Sequence, residues 1–206
     1  MEQYLEKSSF IDFDKKVVED FVKENSNPAF SQKDNIVQLY YAVRDQIKYD
    51  PYHIILDPSA ISASQTLSRK YGYCIEKSLV LAAAGRYLGI PSRLGFSIVR
   101  NHLATEKFLQ LLRSDLFVFH GYNEFFIDEK WVKCTPAFNK ELCEKHGTQP
   151  LEFDGESDSI FQPFSPDGSA YMEYVHEYGV FADFPYPKFI DELKKYYPHF
   201  FGEGGV

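Results

Sequence analysis

Two residues in this chain, Cys74 and His120, have the types and the surroundings that nucleophilic catalysis needs. Cys74 opens a run of helix-forming residues that ends at Gly89, with Pro91 just beyond. Unpaired backbone N–H groups and the macrodipole at a helix N-terminus favour a thiolate, which is the nucleophilic form of cysteine. A thiolate usually works with a nearby histidine as its base. The pattern therefore predicts covalent catalysis through a thioester at Cys74.

Each of these residues also has an ordinary structural explanation. Cysteine is among the residue types most often buried in a core, and a strand histidine is commonly half-buried with a satisfied hydrogen bond. Small residues follow Cys74 at helical steps, at Ser78, Ala82 and Gly85. Such a face can pack closely against another element. Taken alone, the spacing leaves a catalytic and a structural cysteine both open.

Three helices are predicted before the cysteine helix. Apolar residues at helical spacing from Phe13 to Phe21 indicate the first. Ser31, with Asp34 three residues on, has the form of a capping box and begins the second, which Pro51 ends. Tyr52 to Ser62 has no clear period and is predicted to be a loop. A short helix from Ser64 to Tyr71 would deliver the chain directly to the cysteine.

A sheet is predicted to follow, and His120 lies on its second strand. The predicted elements are a strand at 93–98, a helix at 105–114, and strands at 116–127 and 131–135 joined by a tight turn at 128–130. A hairpin of this kind can present a base and the group that orients it side by side. Helices followed by an antiparallel sheet indicate an α+β fold, and 206 residues fit a single domain.

The last third of the chain is less regular. The segment LCEKHG predicts one helical turn, SPDG at Ser165 predicts a turn, and Tyr171 to Val175 is ambiguous between periods. Pro187 to Tyr197 has the spacing of a final helix.

The charge composition and the apolar pattern limit the classes of partner that this protein is expected to bind. The 22 basic and 30 acidic residues give a net charge of -8, which argues against binding to nucleic acid. We find no signal peptide and no apolar run of membrane-spanning length, so we expect a cytoplasmic protein with no membrane partner. The odd number of cysteines indicates reduced thiols. Cys134, Cys143 and His146 lie close in sequence but lack an evident fourth ligand, so we predict no metal and no other cofactor.

Three stretches together resemble the transglutaminase-like superfamily, which are cysteine enzymes of papain-like fold. They are GYC at a helix start, RYLGIPSRLGF from that helix into a strand, and HGYNEFFIDEKWVKCTP. The resemblance covers about residues 35–140, so that the N-terminal helices and a C-terminal extension decorate this core. It implies that Cys74 is the nucleophile, at the start of a helix packed against an antiparallel sheet. It also implies that His120 is the general base and acid. The members most similar to this chain are bacterial proteins of unassigned activity.

The chain departs from the family pattern at the residue that orients the histidine. Most members carry an aspartate where this chain has Thr135. Threonine can fix the imidazole tautomer but has no charge to stabilise the imidazolium. Papain-like proteases use a neutral asparagine in this role, and Asn139 is the second candidate. We predict Thr135 as the orienting residue.

Further groups would complete the site that the resemblance implies. The backbone N–H of Cys74 would stabilise an oxyanion together with one more donor, for which Gln65 and Tyr52 are candidates. Glu124 lies on the strand face of His120 and is either a partner of the site or one half of a salt bridge with an arginine.

Taken together, the residues and the resemblance predict a hydrolase or acyltransferase that attacks an amide of a peptide or protein. Hydrolysis is favoured over cross-linking because water is always available and no amine site is evident. The alternative is a catalytically inactive transglutaminase-like module that binds a peptide or protein in the same cleft, and Thr135 is the residue that favours it.

Overall fold

The computed structural model describes residues 1–102, 104–160 and 172–202. Every helix predicted from the apolar spacing is present in these ranges, whereas the turn predicted at Ser165 lies outside them. None of the described helices is both long and apolar enough to cross a lipid bilayer. The helices are α1 (Lys16–Asn25), α2 (Gln32–Gln46), α3 (Ala63–Arg69), α4 (Cys74–Tyr87), α5 (Glu106–Leu112), α6 (Lys140–Lys145) and α7 (Tyr186–Tyr196).

The strands form two sheets, and the larger is antiparallel as predicted. Its four strands are ordered β5-β4-β3-β6, while β1 and β2 form a short parallel pair. Asp128 and Glu129 both have positive φ, at 48° and 64°, which is the conformation of a two-residue hairpin turn. The strands are β1 (Lys48–Tyr49), β2 (Tyr71–Gly72), β3 (Ser92–Asn101), β4 (Leu116–Ile127), β5 (Lys130–Cys134) and β6 (Met172–Phe181).

Two features of the fold go beyond the sequence-based prediction. Strand β6 pairs with β3 from Leu94 to Asn101, although its own sequence lacks a clear alternation. It lies at the edge of the sheet, where one side is exposed and little apolar patterning is required. The predicted loop from Tyr52 to Ser62 contains a 3-10 turn at Pro58–Ala60. Its N-cap is the Asp57 side chain, which accepts the Ser59 backbone N–H.

Helix α4 is the centre of the fold and is buried on nearly every side. It packs against the sheet on one side and against α1, α2 and α3 on the others. Ser78 and Ala82 are completely buried, and a Cβ at Gly85 would lie 2.5 Å from the ring of Phe125. The prediction that this small-residue face packs closely is therefore confirmed. Close packing here fixes the distance between the cysteine helix and strand β4, which carries His120.

The segment that leads to the site is anchored by buried polar groups. The predicted cap of α2 is formed, since Ser31 Oγ accepts the Asp34 backbone N–H at 3.1 Å. At the other end of α2, the carbonyl oxygens of Arg44 and Ile47 accept hydrogen bonds from Lys77 Nζ at 2.8 and 2.7 Å. Burial lowers the pKa of the Lys77 ammonium well below its usual value. Because Lys77 lies one turn after the cysteine, these bonds hold β1 against the start of α4.

The C-terminal helix closes over the end of β4. Phe189 and Leu193 on α7 are buried against the core. Just beyond the helix, the Tyr197 hydroxyl donates to the Leu116 carbonyl at 2.5 Å and accepts the Val118 N–H at 3.0 Å. The C-terminal extension is thus an integral part of the fold, next to the strand segment that carries His120.

Candidate active site

Cys74 is the first residue of α4 and is brought there by β2. The parallel pairing of β1 with β2, Lys48 with Tyr71 and Tyr49 with Gly72, fixes the chain up to the residue before the N-cap Tyr73. The Glu76 side chain turns back to accept the Tyr73 backbone N–H at 3.1 Å, and it also forms a buried ion pair with Arg69. A carboxylate that caps the N-terminal turn of a helix satisfies an orphan donor and sets the direction of the chain. The position of Cys74 is therefore held from both sides.

Strand β4 approaches the start of α4 at Gly121. A Cβ on this glycine would lie 3.2 Å from Ile75 Cα and 3.4 Å from Ile75 N, which is closer than most side-chain contacts. The Gly121 backbone N–H reaches the Cys74 sulfur. Because His120 is the neighbour of Gly121 along the chain, this close approach brings the imidazole to the nucleophile.

A β-bulge in β4 lies directly before His120. Ser97 of β3 pairs with His120 and Val99 pairs with Phe117, so β4 contains one extra residue between these pairs. Phe119 lies in this bulge, and its φ of 62° is in the left-handed region that bulky side chains disfavour. Bulges next to active sites re-aim a side chain. The strained backbone at Phe119 is therefore consistent with a strand adjusted to position His120.

Cys74 and His120 line the same small cavity. The cavity has a volume of 60 Å³, and the two residues are 7% and 4% exposed. Most of the remaining wall is apolar, with contributions from β1, α5, β4 and α7. These lining residues include Tyr49, Ile54, Leu112, Phe117, Phe189 and Tyr197. The structure thus brings the predicted nucleophile and base together beneath an apolar cover.

Burial controls the protonation of both groups. It raises the pKa of the Cys74 thiol to about 11, although the backbone N–H groups of Gly121, Ile75 and Cys74 itself favour the thiolate. Burial also lowers the pKa of His120 to about 4. Both groups are therefore neutral at pH 7. The backbone N–H groups at the helix start lower the pKa of the Cys74 thiol as expected, but desolvation raises it by more, so the pKa lies above its usual value.

Thr135 and Asn139, the two residues predicted to orient the His120 imidazole, have hydrogen-bond environments that differ from the prediction. The Thr135 hydroxyl is buried and forms no hydrogen bond with any group in the described part of the chain, so the predicted bond to His120 is absent. Asn139 uses its amide elsewhere: its Oδ1 accepts the Tyr49 N–H at 2.6 Å, and its Nδ2 donates to the carbonyl oxygens of Arg44 and Ile47. Asn139 therefore supports β1 and α2 rather than the imidazole.

The other predicted site residues lie outside the cavity that holds Cys74 and His120. Glu124 accepts two hydrogen bonds from Arg93, at 2.8 and 2.5 Å, which is the salt bridge considered as its alternative role. Gln65 is exposed on α3. The Tyr52 hydroxyl is hydrogen-bonded to Thr105 Oγ1 at 3.0 Å and lines a neighbouring cavity instead.

Tyr73 is a site residue that the sequence-based prediction missed. It lines the cavity beside Cys74, and its hydroxyl oxygen is buried without a hydrogen-bond partner in the described ranges. Burial raises the pKa of the phenol, so it keeps its proton and can donate. Buried side-chain polar groups are usually hydrogen-bonded, so this hydroxyl is an exception in the described ranges. The sequence signal that could have identified Tyr73 is its position directly before Cys74 in the GYC motif.

Of the three residues weighed as zinc ligands, Cys143 and His146 line the same neighbouring cavity, whereas Cys134 lies apart from them on β5. Cys134 is a fully buried residue of β5, Cys143 lines the neighbouring cavity, and His146 is exposed at the end of α6. In the described ranges, no group of three or more His, Cys, Asp or Glu side chains is arranged to hold a metal ion.

Comparisons with known proteins bear on both the sequence and the fold. The family model described as the transglutaminase-like superfamily matches residues 15–136, a range that contains Cys74, His120 and Thr135 but neither α6 nor α7. It begins 20 residues before the region in which we identified the resemblance. No curated protein sequence matches the chain.

A solved structure with a similar fold is that of a candidate cysteine protease from Cytophaga hutchinsonii. The TM-score is 0.51 at 16% sequence identity, and the match covers 87% of this chain and 46% of that protein. The chain therefore spans about half the length of this structural neighbour. At such low identity the likeness concerns the fold alone, and it agrees with the predicted papain-like α+β architecture.

Proposed function

We propose that this chain, which belongs to the transglutaminase-like superfamily, is a cysteine-dependent amide hydrolase that acts on peptides or proteins. The observation that carries the proposal is the shared cavity of Cys74 and His120, with Gly121 drawing their two elements together. We also propose that it works in the reducing cytoplasm, since all three of its cysteines are free thiols.

The proposed reaction starts from a neutral Cys74 thiol and a neutral His120 imidazole. The thiol proton of Cys74 passes to the His120 imidazole as the sulfur attacks the amide carbonyl carbon. The C–N bond then breaks, the amine leaves with the proton from the imidazolium, and a thioester remains on Cys74. His120 then takes a proton from water as the water oxygen attacks the thioester carbonyl carbon. The C–S bond breaks, the carboxylic acid leaves, and the imidazolium returns its proton to the Cys74 sulfur, which restores the thiol. Transfer to a second amine would share the first half, but water requires no binding site of its own.

Entry of a substrate changes the protonation balance that burial sets. The polar amide group would lie against a thiol and an imidazole that are otherwise surrounded by apolar side chains. Dipoles that favour charge in a low-dielectric site act more strongly than they do in water. We therefore expect charge to develop on Cys74 and His120 during the attack rather than in the resting enzyme.

Tyr73 is the donor that we assign to the oxyanion, together with the backbone N–H of Cys74. Its hydroxyl is protonated, buried and free of other partners in the described ranges. We expect Tyr73→Phe to lower kcat about 100-fold with little change in KM, because a donor aimed at the oxyanion acts mainly in the transition state. Steady-state kinetics on a peptide amide measure both constants.

Tyr71→Phe is the matched control for this prediction, since Tyr71 is two residues away and does not line the cavity. It should change kcat by less than about twofold, which is typical of a residue outside the site. Equal effects of the two variants, or an effect of Tyr73→Phe on thermal stability alone, would show that the hydroxyl has only a structural role.

A module without catalytic activity that binds a peptide is the second candidate. It is favoured by the high pKa of Cys74, by the low pKa of His120 and by the Thr135 hydroxyl, which has no hydrogen-bond partner within residues 1–102, 104–160 and 172–202. Such a protein would bind a peptide without forming a covalent bond to Cys74.

Trapping of the acyl-enzyme distinguishes the two candidates. The protein is mixed with short peptide p-nitrophenyl esters, quenched in acid, and measured by intact and peptide mass spectrometry. We expect a mass gain equal to the acyl group on Cys74, released by hydroxylamine, and slower acylation in His120→Gln. No gain on Cys74, or a gain on Cys134 or Cys143 instead, contradicts the proposal.

A further inference from the structure

A second cavity adjoins the one that holds Cys74 and His120. It has a volume of 170 Å³, nearly three times that of the first. The two cavities share part of their walls, formed by Tyr49, Pro51, Phe108 and Phe117. A group bound in the larger cavity would therefore be separated from the reacting pair by a single layer of side chains.

The larger cavity has the size and chemistry of a pocket for one aromatic ring. Apolar cavities of about 150 Å³ in proteins hold a benzene molecule. The lining is largely aromatic and aliphatic. It includes the rings of the shared wall, the rings of Tyr52 and Phe138, and the side chain of Leu142. No Lys, Arg, Asp or Glu of the described ranges lines it. A charged side chain would lose hydration against this lining, whereas an aromatic ring gains from burial.

Part of this cavity is built by residues beyond the family match, which ends at residue 136. Phe138, Leu142, Cys143 and Thr148 come from the segment around α6. Asn139 holds that segment in place, since its amide is bonded to the end of α2 and to β1. One side of the cavity is therefore formed by residues outside the family match.

We propose that this cavity is the specificity pocket of the enzyme and receives an aromatic side chain of the substrate. The inference rests on the proposed amide hydrolysis at Cys74, whose scissile carbonyl would lie in the smaller cavity while the ring occupies the adjoining larger one. Substrates with phenylalanine or tyrosine close to the reacting amide are favoured over those with alanine or a charged residue at that place.

Leu142 is the position at which the pocket can be filled without touching Cys74, His120 or Tyr73. It is half-buried on α6 and lines the larger cavity but not the smaller one. Leu142→Trp places a larger side chain in the pocket. Glu141→Trp is the matched control, because Glu141 is exposed on the same helix and does not line the pocket.

The test measures binding and turnover separately. Binding uses N-acetyl-phenylalaninol and N-acetyl-alaninol, which have no carbonyl at the reacting position, and is followed by NMR titration. We expect the wild type to prefer the aromatic compound by about 30-fold, from burial of one ring. In Leu142→Trp the preference should fall to within about threefold, and in Glu141→Trp it should persist. The kcat/KM ratio of matching p-nitroanilides should follow the same pattern.

The outcomes separate this inference from the function on which it rests. Aromatic preference in binding without turnover of any anilide supports the pocket and overturns the hydrolase. Turnover without aromatic preference in the wild type overturns the pocket and leaves the hydrolase standing. A preference that survives in Leu142→Trp also overturns the pocket, because the ring then binds elsewhere.

Discussion

Replacing Cys74 with alanine should lower kcat/KM for amide hydrolysis by at least about 1000-fold, because the variant has no group that can form the thioester. The fold should persist, since the cysteine loses only its sulfur atom at the edge of a small cavity. Release of p-nitroaniline from a peptide anilide measures the loss. Far-UV and near-UV circular dichroism verify that the variant is folded.

Cys134→Ala provides the matched control for this result. Cys134 is also a fully buried thiol, but it lies on β5 and does not line the cavity of Cys74 and His120. Its variant should be less stable yet retain activity within about threefold, measured where both proteins are folded. Activity that survives in Cys74→Ala, or that is lost equally in Cys134→Ala, would contradict the assigned nucleophile.

The largest expected effect of pH on stability comes from His120. The pKa of its imidazole is about 4 in the folded protein because burial disfavours the charged form, against about 6.5 in an unfolded chain. Between these two values the unfolded state binds a proton that the native state does not. Folding stability therefore falls as the pH drops from about 6.5 to about 4. The total loss approaches about 3 kcal/mol, at 1.36 kcal/mol for each pKa unit.

Urea unfolding of the wild type and of His120→Gln at several pH values between 7.5 and 4.5 measures this contribution. The glutamine variant keeps a polar side chain but cannot titrate, so the free-energy difference between the two proteins should change steadily as the pH falls. His146→Gln is the control, because His146 is exposed at the end of α6. Parallel pH profiles for the wild type and His120→Gln would show that His120 is not buried in its neutral form.

Most of the fold follows from local signals in the sequence. The capping box at Ser31, the apolar spacing of each helix and the turn at Asp128 and Glu129 are short-range features, and each specifies its own element. Strand β6 does not. It forms a strand because it pairs with β3, which lies about 80 residues earlier in the chain. Such long-range pairing produces no clear pattern in the ten residues of β6.

At the site, local sequence was sufficient to predict that Cys74 and His120 lie close together, but not which residues contact them. A cysteine after a glycine and a tyrosine at a helix start, and a histidine on a strand of a predicted hairpin, both lie where they were expected. Counting along β5 suggested Thr135 and Asn139 as orienting residues, yet the hydrogen bonds of Asn139 go to α2 and β1. Whether a side chain faces a given partner depends on how separate elements pack.

The sequence alone determined the order of the elements, the family resemblance and the placing of Cys74 and His120 on neighbouring elements. The tertiary structure decided that both are neutral, that the buried Tyr73 hydroxyl has no hydrogen-bond partner among the described residues, and that an aromatic-lined cavity lies beside them. Desolvation is the physical reason. It depends on the side chains that exclude water from a group, and here those include Phe189 and Tyr197, more than 60 residues beyond the histidine.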